Sequence, residues 1–368
     1  MKLKRILKWT VLTIAVLFVA GGLIAYWTSN NDCGANTKIQ GEAMKAVVRC
    51  DYGTPDVLKV EDVEKPAPND DQILVRVRAA SVNPLDWHYV RGTPYILRLD
   101  LGLRKPKATR LGVDYAGTVE AAGRNVKQFK SGDNVFGGKT GAFAEYVCVR
   151  ADRAVVVKPA AVTFEQAAAM PVAGVTALQA LRDKGRVQAG QKVLINGASG
   201  GVGTFAVQLA KHFGAEVTGV CSTRNVEMVR SLGADRVVDY TKEDFADTGE
   251  RYDLVLDNVA SRPLSDFRAV LKPKGKYVLV GGGGPNDQGL IGPLIRPMKA
   301  WVLAKFVSQE MGMVFADLNK PDLTTLAELA EQGKVNPVID RKYPLNDVRS
   351  AVKYVEEGHA RGKVVIAF

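Results

Sequence analysis

The sequence predicts an α/β protein in which an antiparallel, β-rich region is followed by a doubly wound parallel sheet. Short β-branched segments separated by glycine, proline and aspartate turns fill residues 44–149. From residue 163 onward, short apolar strands alternate with helical segments, as in a parallel sheet that helices cover on both faces. An uncharged stretch at 9–27 precedes both regions and predicts one N-terminal transmembrane helix.

The composition bounds the class of protein. A chain of 368 residues, 46% hydrophobic and 24% charged, is long enough for two globular domains. The net charge is +11, but no run of five or six basic residues occurs, which argues against a nucleic-acid surface. The cysteines form no CxxC pair, and no histidine stands at metal-ligand spacing from one. The sequence therefore supports neither a zinc site nor a disulfide framework. The cysteines are Cys33, Cys50, Cys148 and Cys221.

The uncharged segment at 9–27 would span roughly 28 Å as a helix, about the hydrocarbon thickness of a bilayer. Trp9, Tyr26 and Trp27 lie at its ends, where aromatic belts occur. We expect a retained anchor; a cleaved signal peptide and a soluble helix are the alternatives. The basic flank at residues 2–8 predicts a cytoplasmic N-terminus, with the main domain outside.

A Gly/Asn-rich linker at 28–43 leads into the β-rich region. Predicted strands there are Lys45–Arg49, Leu58–Val63, Ile73–Ala80, Tyr115–Ala122, Asn134–Phe136 and Ala144–Val149. Thr163 and Gln166 form a capping box that opens an alanine-rich helix. Alternating strands and helices then run to residue 280, and the tail predicts helices at 323–332 and 346–357 and strands at 338–340 and 362–368.

Residues Val193–Gly203 (VLINGASGGVG) predict a strand, a glycine turn and the start of a helix. Their Ala198-x-Gly200-x-x-Gly203 spacing is a variant of the dinucleotide-binding fingerprint. Glycine is needed where the turn is tight and where backbone approaches a pyrophosphate, and the helix start favours the anion. A following amphipathic helix and second strand supply the context that a lone glycine motif lacks, so we predict a nicotinamide cofactor.

The end of the second strand distinguishes the two nicotinamide cofactors. An NAD site places Asp or Glu there for the ribose hydroxyls, whereas this chain has Cys221-Ser-Thr-Arg224. Arg224 can pair with a 2′-phosphate and Ser222 can donate a hydrogen bond to it. We therefore predict NADPH rather than NADH. The alternative for Arg224 is a solvated cation at a helix start.

Five motifs in order resemble the zinc-free quinone-oxidoreductase branch of the medium-chain dehydrogenase/reductase superfamily, over about 44–368. They are Ala79–Asp86 (AASVNPLD), Leu111–Glu120 (LGVDYAGTVE), Ala173–Leu178 (AGVTAL), the loop at 197–203 and Leu256–Asn258 (LDN). Three further segments are similar to the reticulon-4-interacting, mitochondrial NADPH oxidoreductases and their bacterial relatives. They are Cys221-Ser222, Asp239-Tyr240 and Gly358–Lys363 (GHARGK).

The resemblance implies a GroES-like β-barrel catalytic domain into which a Rossmann domain is inserted, with the active site between them. The implied divisions are 1–43 for the anchor and linker, 44–162 for the catalytic domain, 163–304 for the Rossmann domain, and 305–368 for the return to the catalytic domain. A homodimer is also implied. Zinc members carry Cys where Asn83 stands and Gly-His-Glu where Gly112-Val-Asp114 stands, so no metal is expected.

The predicted catalytic residues are Asn83, Asp86 and His88. Asn83 is the candidate polar group near the nicotinamide, or else a turn residue before a proline. Asp86 is expected to orient Asn83. Many relatives carry Tyr at the position of His88, so His88, Tyr89 or water remain alternative proton donors.

The resemblance also implies a set of cofactor contacts. Thr176 is assigned to the nicotinamide, or else bonds its own helix backbone. Residues 199–202 are assigned to the pyrophosphate, and Ser222, Arg224 and Tyr240 to the adenosine 2′-phosphate. The full predicted set is Thr176, Ser199, Gly200, Gly201, Val202, Ser222, Arg224, Tyr240, Asn258, Leu279, Phe315, His359, Ala360 and Arg361.

Two functions are compatible with these observations. The first is a zinc-independent, NADPH-dependent reductase of quinones or α,β-unsaturated carbonyls, held at a membrane by its N-terminal helix. The second is an NADPH-binding scaffold or assembly factor for a membrane partner, with little turnover. The need for reduced cofactor favours a cytoplasmic domain, whereas the charge bias favours an outside one, and both orientations stay open.

Overall fold

The computed structural model describes residues 21–23, 26, 33, 39–281, 289 and 291–368. The predicted anchor at 9–27 and the linker at 28–43 fall mostly outside these residues. Among the residues described, the helices are too short or too polar to cross a bilayer.

The N-terminal part of the chain and two strands from its C-terminal end form a seven-stranded sheet, with one short β-ladder beside it. In the seven-stranded sheet the strand order is β14-β15-β3-β4-β5-β7, and β6 also pairs with β3. Strands β1 and β2 form the antiparallel ladder. The bounds are β1 Ala43–Val48, β2 Lys59–Glu64, β3 Gln72–Val82, β4 Asp114–Ala122, β5 Asn134–Gly138, β6 Tyr146–Arg150, β7 Val155–Val157, β14 Ile339–Pro344 and β15 Lys363–Ala367.

The second sheet has six parallel strands in the order β10-β9-β8-β11-β12-β13. Its order reverses between β8 and β11, and in such sheets a ligand binds outside the carboxyl ends of the strands at this switch point. The bounds are β8 Lys192–Asn196, β9 Glu216–Cys221, β10 Arg236–Asp239, β11 Tyr252–Asp257, β12 Leu271–Leu279 and β13 Glu310–Met313.

Ten α-helices lie within the described residues. They are α1 Pro84–Arg91, α2 Arg98–Leu101, α3 Phe164–Ala169, α4 Pro171–Gln179, α5 Gly201–His212, α6 Val226–Ser231, α7 Leu264–Val270, α8 Ile295–Leu303, α9 Lys320–Glu331 and α10 Val348–Glu356. The predicted capping box is present on α3, where the Thr163 hydroxyl accepts from the Gln166 N–H at 3.2 Å. A π-helical turn, Ala180–Gly185, continues α4.

One hydrophobic core joins the two sheets. Ala79 on β3 and Phe136 on β5 belong to the same buried cluster as Phe205 on α5 and Leu326 on α9. Helix α3 packs on β3, β4 and β15 of the seven-stranded sheet, so the capping box at Thr163 opens a helix of that layer. The loop after β8 forms a parallel bridge with the segment before β15 through Gly200 and Gly362, so residues from both sheets meet there.

The predicted strands and helices agree with the structure within a few residues, with five omissions, which are α1, α2, α8, β7 and β13. Helix α1 follows Asn83 inside the region predicted to be all β. Helix α8 was not predicted because no helix-start motif precedes it; the chain before it is rich in glycine. Strand β13 pairs in parallel with β12, so the Rossmann-like sheet extends beyond residue 304, where we had predicted the return to the catalytic domain.

The expectation of no disulfide is wrong for one pair of cysteines. Cys33 and Cys50 are joined by a disulfide with a Cα–Cα distance of 5.2 Å, whereas Cys148 and Cys221 are free thiols. Their separation of 17 residues matches no spacing motif. The pairing arises because Cys33 lies against the end of β1, beside Cys50, and this placement is a tertiary property.

Replacing Cys50 by serine is expected to lower the free energy of unfolding by about 3 kcal/mol, because the crosslink closes a short loop in the unfolded chain. Urea unfolding without reductant measures the change, with Cys148→Ser as the control that removes a free thiol only. Dithiothreitol should shift the wild-type midpoint to that of Cys50→Ser and leave the variant unchanged. An unchanged wild-type midpoint in reductant would contradict the assignment.

Candidate active site and cofactor site

The glycine loop between β8 and α5 has the close approach that a pyrophosphate site requires. A Cβ atom on Gly203 would lie 2.1 Å from the Gly197 carbonyl oxygen and 2.8 Å from Ala198 backbone atoms. Only glycine therefore lets the first turn of α5 pack this closely on the loop. Gly200, Gly201 and the half-buried Ser199 and Val202 occupy the loop and helix start, where N–H groups and the helix dipole favour an anion.

Asn225 links the loop to the end of β9, and the sequence analysis did not include it. Its side-chain nitrogen donates to the Ser199 hydroxyl at 3.0 Å and to the Ser222 hydroxyl at 3.2 Å. Since both oxygens accept from Asn225, each serine keeps its own proton free to donate elsewhere. Asn225 is buried, and its Oδ1 has no hydrogen-bond partner in the described part of the chain. Two aligned hydroxyl donors are suited to a phosphate.

Arg224, Tyr240 and His359 lie around these two serines. The exposed Arg224 donates from Nη2 to the His359 carbonyl oxygen at 2.8 Å. The Tyr240 N–H donates to the Cys221 carbonyl at 3.1 Å, which places this exposed tyrosine beside the end of β9. The structure therefore brings together the residues that the resemblance assigned to the adenosine end of the cofactor.

The neighbouring strand β10 brings a carboxylate to this edge. No acid stands in residues 221–224, as the sequence shows, but Asp239 accepts from the Thr223 hydroxyl at 2.6 Å and from the Thr241 hydroxyl at 2.7 Å. These hydrogen bonds, that of Thr223 first, lower the pKa of Asp239 to about 2. Its oxygens are occupied by threonines, which limits their availability to ribose hydroxyls.

The side chains at the ends of β11 and β12 differ in whether they have a polar atom available to a ligand. Asn258 donates from Nδ2 to the Asn196 carbonyl at 2.9 Å, and its buried Oδ1 has no partner among the described residues. It therefore has an acceptor left for a ligand. The side chain of Leu279, in contrast, is buried in the sheet core with Leu194 and Tyr277.

The side chains of Thr176 and Phe315 are not positioned as simple cofactor contacts. The Thr176 hydroxyl donates to the Val172 carbonyl one turn earlier at 2.6 Å, which is the helix-backbone alternative considered above. Phe315 follows β13 and is 73% exposed among the residues that the structure describes. Neither side chain is held by another predicted site residue.

On the catalytic side, Asn83 is the centre of a buried polar cluster that includes Ser81, Asp114 and Lys363. Its Nδ2 donates to Asp114 Oδ2 at 2.9 Å, and its Oδ1 accepts from Lys363 Nζ at 2.5 Å. Ser81 donates to the same Asp114 oxygen at 2.9 Å, and the Val172 N–H donates to the other at 3.1 Å. Both polar atoms of the Asn83 side chain are therefore engaged within the protein.

Burial acts on the two charged members of this cluster in opposite directions. It raises the pKa of Asp114, which Lys363 opposes, and lowers the pKa of Lys363, which Asp114 and Asp86 oppose. Their closest atoms are 3.6 Å apart. The sequence analysis identified the GHARGK segment but assigned no role to Lys363. A lone lysine beginning a strand gives no local signal of such burial.

Asp86 is hydrogen-bonded to the backbone of Asn83. Its Oδ2 accepts from the Asn83 N–H at 2.7 Å at the start of α1. Its Oδ1 is buried and has no partner in the described structure. Burial, together with nearby Asp114, raises the pKa of Asp86 to about 7.

This raised pKa predicts a pH-dependent loss of stability. Between about pH 4 and 7 the unfolded chain has lost the Asp86 proton while the folded protein keeps it, so the free energy of unfolding decreases as the pH rises. The difference between wild type and Asp86→Asn should fall by up to about 1.4 kcal/mol per pH unit in that window. Urea unfolding at pH 5, 6 and 7 measures it, with the exposed Asp152→Asn as the control. Parallel stability curves for wild type and Asp86→Asn would contradict the assignment.

His88 is a poor proton donor in this arrangement. Its Nδ1 lies 2.8 Å from the Thr93 carbonyl, which can only accept, so Nδ1 carries the proton and the neutral ring has none on Nε2. Burial lowers the pKa of His88, which makes the doubly protonated form scarce near neutral pH. The ring stacks on Trp87 at 3.6 Å between centroids.

The segment 359–363 approaches the cofactor loop from the catalytic part of the chain. The Gly362 N–H donates to the Ser199 carbonyl at 2.9 Å, and Gly362 forms a parallel bridge with Gly200. The Arg361 N–H donates to Asp340 at 2.9 Å, and Ala360 packs against the core of the seven-stranded sheet. Among the residues that the structure describes, no group of three or more His, Cys, Asp or Glu could hold a metal ion.

Two family models match the chain in the order of its two sheets. The model described as alcohol dehydrogenase GroES-like domain matches residues 69–160, and the model described as zinc-binding dehydrogenase matches residues 232–366. The solved structure of the quinone oxidoreductase from Coxiella burnetii superposes with a TM-score of 0.77 at 32% identity, covering 89% of this chain and 100% of that one. The fold is thus an α/β fold with a Rossmann-like sheet and a GroES-like domain.

Curated relatives match over almost the same length. The chain is 34% identical to the chloroplastic quinone-oxidoreductase homolog of Spinacia oleracea, over 88% of this chain and 98% of that protein. It is 36% identical to the chloroplastic NADPH-dependent alkenal/one oxidoreductase of Arabidopsis thaliana, over 88% and 79% respectively. It is 34% identical to the mitochondrial NAD(P)H oxidoreductase RTN4IP1 of Homo sapiens, over 90% and 91%. The chain therefore belongs to the quinone-oxidoreductase branch of the medium-chain dehydrogenase/reductase superfamily of nicotinamide-dependent oxidoreductases.

Proposed function

We propose that this protein is a zinc-independent, NADPH-dependent reductase of quinones or α,β-unsaturated carbonyls. The observation that carries the cofactor assignment is the hydrogen-bond pattern of Asn225. By donating to Ser199 and Ser222, it leaves both hydroxyl protons free for an anion next to the Arg224 guanidinium. A ribose 2′-hydroxyl needs an acceptor at this place, whereas a 2′-phosphate needs the donors that the site provides.

The residues that would hold the cofactor follow from this arrangement. The loop at 197–203 and the start of α5 take the pyrophosphate, Ser222, Arg224 and Tyr240 surround the adenosine phosphate, and Asn258 offers its unpartnered Oδ1 to the ribose and nicotinamide side. The Leu279 side chain is buried in the sheet, whereas the Thr176 hydroxyl, which donates to its own helix, keeps acceptor capacity for the nicotinamide side. We also propose that Phe315 and residues His359–Arg361 contact the cofactor, and substitution of these residues can test each contact.

The substrate class rests on the relatives, whose names include quinone and alkenal/one oxidoreductases. When bound, the cofactor supplies a hydride; a proton completes the reduction of a carbonyl or an activated alkene. His88 donates its Nδ1 proton to the Thr93 carbonyl, and the Asp86 carboxyl group is buried. Neither side chain is therefore placed to donate a proton to the substrate near neutral pH. Of the three candidates this leaves Tyr89 and water, and we propose that one of these two supplies the proton.

Absence of zinc is supported by the donor set. Asn83 stands where zinc members carry Cys, and its amide is bound to Lys363 and Asp114. Asp114 is itself bound by Ser81 and the Val172 N–H. A cation placed here would have to displace the Lys363 ammonium group, which already neutralises this buried carboxylate.

A turnover assay tests the proposal. The protein should oxidise NADPH with a panel of quinones and enones and be unaffected by a zinc chelator. Zinc-dependent alcohol oxidation, without quinone or enone reduction, would overturn it. Tight NADPH binding with no turnover on any acceptor would instead favour the scaffold function.

Replacing Arg224 by alanine should lower kcat/KM for NADPH by about 10- to 100-fold, the effect of losing one charge-assisted phosphate contact of ~1.5–3 kcal/mol. The kcat/KM for NADH should change by less than about threefold, because NADH lacks the 2′-phosphate. Arg230→Ala is the matched control, since Arg230 pairs with exposed Glu227 on α6. Equal losses with both cofactors would contradict the assignment.

We also propose that the segment at 9–27 anchors the protein in a membrane, where it would meet lipophilic quinones. Support comes from its uncharged length and aromatic ends. The Cys33–Cys50 disulfide, just after this segment, favours the orientation in which the main domain faces an oxidising compartment. Alkaline carbonate extraction and labelling of Cys33 with and without reductant test both parts. Release of the intact chain by carbonate, or a free thiol on Cys33 in freshly isolated protein, would contradict them.

A further inference from the structure

The segment His359–Lys363, which we term the 359–363 strap, contacts both halves of the candidate site. At one end its His359 carbonyl accepts from Arg224 at 2.8 Å. In the middle the Gly362 N–H donates to the Ser199 carbonyl at 2.9 Å, and Gly362 bridges Gly200. Arg224, Ser199 and Gly200 all belong to the proposed site for the adenosine phosphate and pyrophosphate.

Gly362 is required for this crossing. Its φ of +93° is in the region that favours glycine, and a Cβ atom would lie 2.4 Å from the Val338 carbonyl oxygen. The backbone therefore turns sharply after bridging the loop, and the Lys363 N–H then donates to that same carbonyl at 2.8 Å. The next residues enter β15, which pairs with β3 through Val364 and Val82.

The Lys363 side chain carries the contact to the catalytic half. Its Cδ atom would touch a Cβ atom on Gly201 at 3.2 Å, so its aliphatic stem lies along the start of α5. Its ammonium group reaches Asn83 Oδ1 at 2.5 Å, the Val82 carbonyl at 3.4 Å and Asp114 at 3.6 Å. One residue therefore touches the pyrophosphate helix and the cluster at the start of α1.

The buried ammonium group of Lys363 connects the two halves of the site rigidly, because moving it away from its partners is costly. Lys363 is 3% exposed and Asp114 is fully buried, so separating them without water would leave an unpaired charge in the interior. A displacement of the phosphate loop moves Gly362 and the Lys363 stem, and the ammonium group must then carry Asn83 and Asp114 with it. Asp86 transmits the position of the Asn83 backbone to α1.

We propose that the 359–363 strap couples occupancy of the phosphate site to the geometry of the catalytic pocket, with Lys363 as a positioning residue that acts through Asn83 and Asp114. The inference rests on the proposed cofactor site. It implies that part of the free energy with which the adenosine half of the cofactor binds is used to order the part of the protein that contacts the substrate.

Hydrogen exchange with an adenosine fragment tests the coupling without turnover. The probe is 2′-phospho-ADP-ribose, which lacks nicotinamide and so cannot reach the catalytic pocket by direct contact. In wild type it should slow exchange in peptides that cover 197–203 and also in those that cover 83–91, the latter by about fivefold or more. In Lys363→Met, protection at 197–203 should persist while protection at 83–91 is lost.

Three variants keep the test interpretable. Lys363→Arg retains a cation and should retain part of the protection at 83–91. The double variant Lys363→Met/Asp114→Asn removes both charges, so it avoids an unpaired buried carboxylate if the single variant folds poorly, and it should also lack protection. Lys342→Met is the matched control, because Lys342 on the adjacent strand β14 pairs with Glu165 at the surface. It should behave as wild type.

A kinetic comparison gives the second readout. Reduced nicotinamide mononucleotide donates the same hydride but lacks the adenosine half. Lys363→Met should lower kcat with NADPH by about 10-fold, with KM for NADPH within about threefold, and change kcat with the mononucleotide by less than about threefold. The advantage of NADPH over the mononucleotide would thus shrink in this variant only.

The outcomes separate this inference from the proposed function. Protection at 83–91 that persists in Lys363→Met and in the double variant, or is absent in wild type despite protection at 197–203, overturns the coupling alone. Equal losses of kcat with both hydride donors also overturn it. No protection at 197–203 in wild type overturns the cofactor site and the coupling together.

Discussion

Replacing Gly203 by alanine is expected to weaken binding of NADPH by about 100-fold or more, a cost of ~2.7 kcal/mol. The added Cβ atom would lie 2.1 Å from the Gly197 carbonyl oxygen and 2.8 Å from the Ala198 Cα and carbonyl carbon. All three atoms are backbone, so no side-chain rotation relieves the overlap. Helix α5 must move away from the loop, and its N–H groups then no longer point at the pyrophosphate.

Quenching of protein fluorescence by NADPH measures this affinity, and circular dichroism reports whether the variant folds. The control is Gly312→Ala on β13, where an added Cβ atom meets nothing within 4 Å among the described atoms. It should bind NADPH as wild type does. If Gly203→Ala bound NADPH with wild-type affinity, the loop would not be the pyrophosphate site.

Replacing Asp257 by alanine is expected to lower the free energy of unfolding by about 3–5 kcal/mol, the cost of breaking a buried charge pair. Asp257 is fully buried at the end of β11 and is 3.1 Å from the Arg296 guanidinium. It also accepts from the Tyr277 hydroxyl at 2.7 Å and the Asn196 amide at 2.9 Å. The substitution leaves these three donors, and the N–H groups of Val259 and Ala260, without this acceptor.

Urea unfolding monitored by circular dichroism measures the loss. Asp183→Ala is the control, because Asp183 forms an exposed pair with its neighbour Arg182 and should change stability by less than about 1 kcal/mol. Asp257→Asn should be intermediate, since an amide oxygen can still accept one bond. A stability change below 1 kcal/mol in Asp257→Ala would show that Arg296 and Tyr277 find other acceptors.

The nucleotide-binding loop could be predicted because its determinants are local. The strand β8, the glycine turn and helix α5 occupy consecutive residues, and the requirement for glycine follows from the turn itself. The same holds for Arg224 and Ser222, which stand at a fixed distance after the second strand. The missing zinc ligands at Asn83 and Val113 are likewise visible in the sequence because a ligand set is a matter of residue type.

Other features of the site could not be predicted, because they depend on contacts between distant segments. Asp239 approaches Thr223 because β10 lies beside β9, and the pattern of either strand gives no sign of it. Asn83 was expected to contact the nicotinamide, but Lys363, 280 residues later in the chain, occupies its amide oxygen. His88 was a candidate proton donor until the Thr93 carbonyl fixed its tautomer.

By itself, the sequence determined the α/β class, the position of the glycine-rich loop after β8 and the absence of zinc-ligand residue types. These properties depend on residue type and on spacing within one or two neighbouring elements. Only the tertiary structure decided that Cys33 pairs with Cys50 and that Asn225 donates to the hydroxyls of Ser199 and Ser222. It also decided that two threonines donate to Asp239 and that Lys363 donates to Asn83. The reason is physical, since burial, charge pairing and hydrogen-bond direction are set by what the fold places nearby.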